Sequence, residues 1–233
     1  MGTQLKTLLT QRDFKGRSLL ATAAANGEKA SFEAVLEAVR TRLTSDQVKT
    51  MEMSRDDNKN SVLILAAINK SLDVFGAVMS AIENDVTPQE METLLTQRGS
   101  KDWSLLSAAA VNENKASFKA VLEAIRTRLM PDQVKSLILP RDKDGFPVLY
   151  YASIDSSVEK FKAVMVAVSA ELTSEEVSDM LRYKDSVFGS LLAVAARLCT
   201  TNKEFFEVLF DTVREKLPEE MHELLCRRDQ DLL

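Results

Sequence analysis

The chain is poor in the residues that usually carry chemistry. Its 233 residues include two cysteines, one histidine, one tryptophan, five prolines and seven glycines. Cys199 and Cys226 are too few and too far apart for a disulfide framework or a zinc knuckle, which leaves two reduced thiols in a cytosol-like compartment. The lone histidine sits in His222-Glu-Leu-Leu-Cys226, which lacks the second histidine of a His-Glu-x-x-His zinc protease. The glycines form no phosphate-binding loop, no dinucleotide fingerprint and no Gly-x-Ser-x-Gly turn. No metal, cofactor or catalytic residue is therefore expected, and any catalysis of a larger protein belongs outside this stretch. No apolar run is long enough to span a bilayer, and Met1-Gly-Thr-Gln has no apolar signal core. A soluble, cytoplasmic polypeptide is expected. The net charge of −5 and pI near 5.2 give no overall attraction to nucleic acid or to an anionic membrane.

What the chain does have is internal repetition. Lys115-Ala-Ser-Phe-Lys-Ala-Val-Leu-Glu-Ala-Ile-Arg-Thr-Arg-Leu129 nearly duplicates the stretch from Lys29 to Leu43, 86 residues earlier. Related text follows Phe75 and Phe161, so Phe32, Phe75, Phe118 and Phe161 recur every 43 residues. The period predicts one solenoid domain over 1–233, with repeats at 13–55, 56–98, 99–141, 142–184 and 185–228. Residues 1–12 read as the end of a preceding repeat and 229–233 as the start of another or a tail. This is expected to be an excerpt of a longer array, monomeric as a segment.

Each repeat opens on a polar turn, such as Asp13-Phe-Lys-Gly16 or Asp142-Lys-Asp-Gly145. A short apolar helix follows, introduced by Ser18, Ser61, Ser104, Pro147 or Ser190, residues suited to a cap or first turn. Small pairs such as Ala23-Ala24 and Ala66-Ala67 let these inner helices approach closely. The second helix carries an i, i+3, i+4, i+7 stripe, as in Phe32, Val35, Leu36 and Val39. In the fifth repeat two extra residues near Thr200-Thr201 shift the frame, and the stripe reads Phe206, Leu209, Phe210, Val213 and Leu217. A third, shorter helix starts at signals such as Thr44-Ser-Asp and Thr87-Pro-Gln. Its apolar pairs recur as Leu94/Leu95, Leu137/Ile138, Met180/Leu181 and Leu224/Leu225. There is almost no strand signal.

Two charged positions also recur. Arg42, Asp85, Arg128, Glu171 and Lys216 alternate in sign along the second helices, which predicts a ladder of ion pairs between repeats, each worth about 0.2–1 kcal/mol if exposed. Arg12, Arg55, Arg98, Arg141, Lys184 and Arg228 precede each turn and are expected to meet carbonyls or the next turn's carboxylate.

A 43-residue, three-helix unit fits HEAT or armadillo arrays, which remain the alternative. The stretches Asp142-Lys-Asp-Gly-Phe-Pro-Val-Leu-Tyr-Tyr-Ala152 and Asp13-Phe-Lys-Gly-Arg-Ser-Leu-Leu-Ala-Thr-Ala-Ala-Ala-Asn-Gly27 instead resemble the ankyrin pattern of turn, helix start and Ala-Ala-x-x-Gly end. The histidine of that pattern is replaced by Ala21, Ile64, Ser107, Tyr150 and Ala193, and the turn glycine survives only as Gly16 and Gly145. The fold class is thus all-α, a right-handed ankyrin-like solenoid with reduced hairpins. Long divergent arrays of this sort are similar to those in large effector or toxin proteins of intracellular bacteria. That resemblance implies a non-enzymatic interaction scaffold with a protein partner, a host protein among the candidates, and a place in the host cytosol after secretion.

By the same resemblance, the residue before the inner helix (Arg17, Asn60, Trp103, Phe146, Gly189) and the places of the missing histidine and its neighbour face the concave binding surface. The candidate partner-binding residues are therefore Trp103, Phe146, Tyr150, Tyr151, Ile64 and Leu65. The alternative is that Trp103 and Phe146 seal one turn against the next. At the level of function, the alternative is a rigid spacer or self-association module beside a catalytic domain outside this segment.

Overall fold

The computed structural model describes residues 2–69, 71–112, 115–154, 157–185, 189–198 and 202–221. Cys199, Thr200, Thr201, the stretch from His222 to Cys226 and Arg228 lie outside these, as does most of the fifth turn. The chain falls into two compact units, Met1–Leu137 and Ile138–Leu233.

In the first unit, α1 (Gly2–Thr10) precedes three repeats of three helices. They are α2 (Leu19–Asn26), α3 (Lys29–Arg40) and α4 (Ser45–Met53); α5 (Val62–Ile68), α6 (Leu72–Asp85) and α7 (Pro88–Thr96); and α8 (Leu105–Val111), α9 (Lys115–Arg126) and α10 (Pro131–Ile138). The last residue of α10 opens the second unit. Helices α2, α5 and α8 stack as an inner layer, and α3, α6 and α9 as an outer one. The third helix α4 wedges between α2, α3 and α6. Close inner stacking follows from composition: Ala23, Ala24, Ala66, Ala67, Ala109 and Ala110 are all buried. Between the layers, Phe32, Phe75 and Phe118 are each 2% exposed. Burial of an aromatic side chain of this size stabilises by about 1.5–3 kcal/mol.

The second unit continues with α11 (Val148–Ile154), α12 (Val158–Glu171) and α13 (Ser174–Leu181), then α14 (Leu191–Leu198) and α15 (Lys203–Lys216). Here α11 packs on α14 and α12 on α15. The buried frame of α15 is Phe205, Leu209, Val213 and Leu217, an i, i+4 ridge, and Phe205 meets Phe161 edge to face at 5.7 Å. Phe206 and Phe210, expected in the core, are only half-buried and lie against each other at 5.9 Å. The insertion before α15 moves the anchor to 44 residues after Phe161, one more than the period. Of the third element of this repeat only the 3₁₀ turn Pro218–Glu220 and the helical Met221 are described, and the expected pair Leu224/Leu225 lies outside the described residues.

The helix starts follow the hydroxyl residues. Ser18, Ser61, Ser104 and Ser190 cap the inner helices, accepting from the amides of Ala21, Ile64, Ser107 and Ala193. Thr44/Gln47, Thr87/Glu90 and Thr173/Glu176 form full capping boxes on the third helices. Among the described residues no helix is long and apolar enough to cross a membrane.

Candidate functional site

The turns form a built and repeated surface. In four repeats the first turn residue donates its amide to the carbonyl four residues on: Asp13 to Arg17, Asp56 to Asn60, Gly99 to Trp103 and Asp142 to Phe146, at 2.8–3.1 Å. The fourth residue donates back to the first, from Gly16, Lys59, Asp102 and Gly145. Asp13, Asp56 and Asp142 also accept through one carboxylate oxygen from the amides two and four residues on. The Arg17 amide, with that of Lys15, holds the Asp13 carboxyl below the usual carboxylate range. The turn is therefore an Asx-locked reversal. In the fifth repeat it pairs as two short antiparallel strands, β1 (Lys184–Asp185) and β2 (Gly189–Ser190). Arg55 and Ser61 make the corresponding single bridge.

Neighbouring turns are tied through main-chain groups, so their positions are fixed. Arg12 donates to the carbonyls of Gly16 and Arg55, at 2.5 and 2.8 Å. Arg55 does the same with Lys59 and Arg98, and Arg98 with Asp102 and Ser136. At Arg12, Arg55 and Arg98 the recurring cation is thus a strap to the following repeat. The Asp57 amide adds a bond to the Lys15 carbonyl at 3.0 Å. Gly99 stands where the other turns have aspartate because Asn60 fills that space: Asn60 Oδ1 accepts from the Ser100 amide, and a Cβ on Gly99 would lie 2.6 Å from it.

The candidate residues separate by depth. Ile64 and Leu65 are core residues of α5, 0% and 5% exposed, and Tyr150 and Tyr151 are 6% exposed on α11. The Tyr151 hydroxyl donates to the carboxylate of Asp142, and Tyr150 stacks on Phe146 at 4.0 Å. Tyr183 closes the cluster edge-on, with the Arg141 guanidinium over its ring at 5.0 Å. A β-turn next to an inner helix in a stack faces its neighbours as well as solvent, so an aromatic at the third or fourth residue of the helix, as Tyr150 and Tyr151 are in α11, sinks. These four side chains are buried, whereas Trp103 and Phe146, at the ends of their turns, are half-buried. Trp103 belongs to the first unit and Phe146 to the second. The same position in the first two repeats serves lateral sealing: Arg17 faces Asp56 at 3.6 Å, and Asn60 bonds Asp56 and Ser100.

Phe14, not among the candidates that the repeat pattern singles out, is 89% exposed at the tip of the first turn, with the Lys15 ammonium over its ring at 5.4 Å. Its turn position carries Asp57, Ser100 and Lys143 in the following repeats, and that departure from polarity was the available signal. Elsewhere in the first unit, α3 and α6 border a groove of about 440 Å³ with Gly76 in its lining. Here the ion ladder is present but slid by two residues. Arg40, not Arg42, pairs with Asp85 at 2.5 Å, and Arg128 pairs with Glu83. Arg42 turns back onto Ala38 O and Thr41 Oγ1 of its own helix.

No protein-family model matches the chain, and no curated protein matches it. Many solved structures are similar to the chain, two of them as follows. One is the ankyrin repeat domain of Bcl-3, a member of the IkappaB protein family, 14% identical over 87% of each chain with a TM-score of 0.48. The other is one chain of the complex between the predatory endopeptidase Bd0816 of Bdellovibrio bacteriovorus and the immunity protein Bd3460, 15% identical over 86% of this chain and 99% of that one, with a TM-score of 0.43. At such low identity the description of the fold rests on the helices and turns themselves.

Proposed function

We propose that the chain is a non-enzymatic scaffold that binds a protein partner through its turns, with Phe14 and Trp103 of the first unit and Phe146 of the second as the reachable aromatic anchors. The observation that carries this reading is the contrast between a turn backbone that four repeats share and side chains on it that differ from one repeat to the next. A position fixed in shape and free in chemistry can answer to a ligand, and exposed or half-exposed aromatics dominate binding hot spots. The ankyrin-like pattern supports the same use, and extends to a place in a larger effector or toxin protein whose partner is a host protein. A second surface has its own support. Gly76 sits inside α6, where glycine costs about 1 kcal/mol relative to alanine, yet a Cβ there would meet nothing within 4 Å. The equivalent residues are Glu33, Lys119 and Lys162, so the bare backbone leaves the α3/α6 groove open to a close approach.

The test is a photo-crosslinker placed in turn at Phe14, Trp103 and Ser80, the last in the α3/α6 groove, with capture from cell extract and light scattering of the purified chain. Crosslinking of one protein species from the two turn positions supports the proposal. Crosslinking from Ser80 alone moves the interface to the groove. Homo-oligomers with no captured protein would favour a self-association module.

A further inference from the structure

Position 52 breaks the rule of the third helices. The residues in register with it, Leu9, Leu95, Ile138 and Leu181, are all apolar. Glu52 is buried all the same, at 2% exposed, and neither carboxylate oxygen has a hydrogen-bond partner among the described residues. Of the elements packed against α4, α2 carries no ionisable side chain, α3 presents Arg40, and α6 presents Asp85. Lys49, on α4 itself, is taken by Glu90 of α7 at 2.7 Å. The Arg40 guanidinium is committed as well: Nε and Nη2 both donate to Asp85 Oδ2, and Nη2 also to the Ala81 carbonyl.

Two carboxylates both accept, so no bond joins Glu52 to Asp85 unless one holds a proton. One guanidinium against two ionised carboxylates would leave an uncompensated buried charge, the costliest arrangement a core can hold. We propose that Glu52 and Asp85 share a proton beneath Arg40 and that this proton fastens repeat 1 to repeat 2, so that the joint tightens as pH falls through the neutral range and loosens as it rises. Burial first, and then the charge of Asp85, pushes the Glu52 carboxyl up to about 8, against the pull of Arg40. The folded chain therefore keeps a proton that the unfolded chain releases near pH 4.5. The stabilisation is complete below that value, declines as pH rises, and is gone above about 8. Glu52 thus acts on the joint by its protonation state rather than by its bulk.

The test is a ¹³C NMR titration of side-chain carboxyls in the full chain, with Glu52 assigned by the loss of its signal in Glu52→Gln. The midpoint is expected near 8 in the native sequence, and it should move down in Asp85→Asn, which removes the repelling charge. In parallel, the Tm of the native sequence should fall from about pH 5 to about pH 9 more steeply than that of Glu52→Gln or of Glu52→Leu, the latter restoring the apolar residue of the other repeats. If either variant fails to fold, the other and the native titration still decide. A Glu52 midpoint in the ordinary carboxylate range, or equal pH slopes in all three proteins, would overturn the proposal.

Discussion

Single residues carry the strain and the anchoring of the repeat. The fourth turn residue is left-handed in every described turn, with φ of 72° at Gly16, 67° at Lys59, 63° at Asp102 and 87° at Gly145. Lys59 is exposed and gains nothing from its side chain there, while a left-handed non-glycine residue costs about 1–2 kcal/mol. Lys59→Gly should therefore raise stability by about 0.5–1 kcal/mol after the added freedom of the unfolded chain is counted, as read from the urea midpoint. Gly16→Ala should do the opposite, because its Cβ would meet the Asp57 carboxylate at 2.2 Å. In the core, Phe118→Ala empties a site that is 2% exposed and should cost about 3–5 kcal/mol. An unchanged urea midpoint would remove this ring from the core. The Tyr151 hydroxyl serves the Asp142 turn lock.

Elements are where the sequence was most legible, because the period prints the same capping and burial signals several times. The serine caps, the threonine capping boxes, the alanine layer and the strap of Arg12, Arg55 and Arg98 all stand in the text of the chain. What stayed hidden depends on how helices slide. Alternating signs at Arg42, Asp85 and Arg128 announce pairing between second helices, but the two-residue slide that gives Arg40 to Asp85 and Glu83 to Arg128 is a property of packing. The frame of α15 failed for a related reason: with a Phe205-Phe206 pair, only contact with Phe161 decides which ring turns inward. The depth of Tyr150 and Tyr151 likewise depends on Tyr183 and Phe146, which close over them. A test at this scale is acid sensitivity of the α4/α7 tie. The Lys49 ammonium, together with the Thr87 amide and hydroxyl, holds the Glu90 carboxyl down to about 2. Its support is present above the ordinary value of 4.5 and is lost as pH falls toward 2. Glu90→Gln should flatten that part of the thermal stability profile, and Thr87→Ala should cost about 1 kcal/mol at neutral pH, measured by helical circular dichroism on heating.

For the whole molecule, the repeats within each unit stack on their neighbours, so the stability of a unit should be a sum over its repeats and the interfaces between them. Deleting 185–233 strips α14 and α15 from α11 and α12 and uncovers Phe161. The remaining chain should melt lower yet keep its helical circular dichroism, and a fully unfolded product would contradict nearest-neighbour stacking. In the first unit a series of straps and locks then serves to hold differing side chains at fixed turn positions, and partner binding through such turns is the central proposal. Its most direct test is titration calorimetry of the crosslinked partner, once purified, against the native chain, Trp103→Ala and Arg42→Ala. Trp103→Ala should weaken binding by ~2 kcal/mol or more, roughly thirtyfold in Kd, and Arg42→Ala, whose side chain folds back on its own helix, should leave it unchanged. Weakening by Arg42→Ala with none from Trp103→Ala would place the interface on the outer helices and contradict the account.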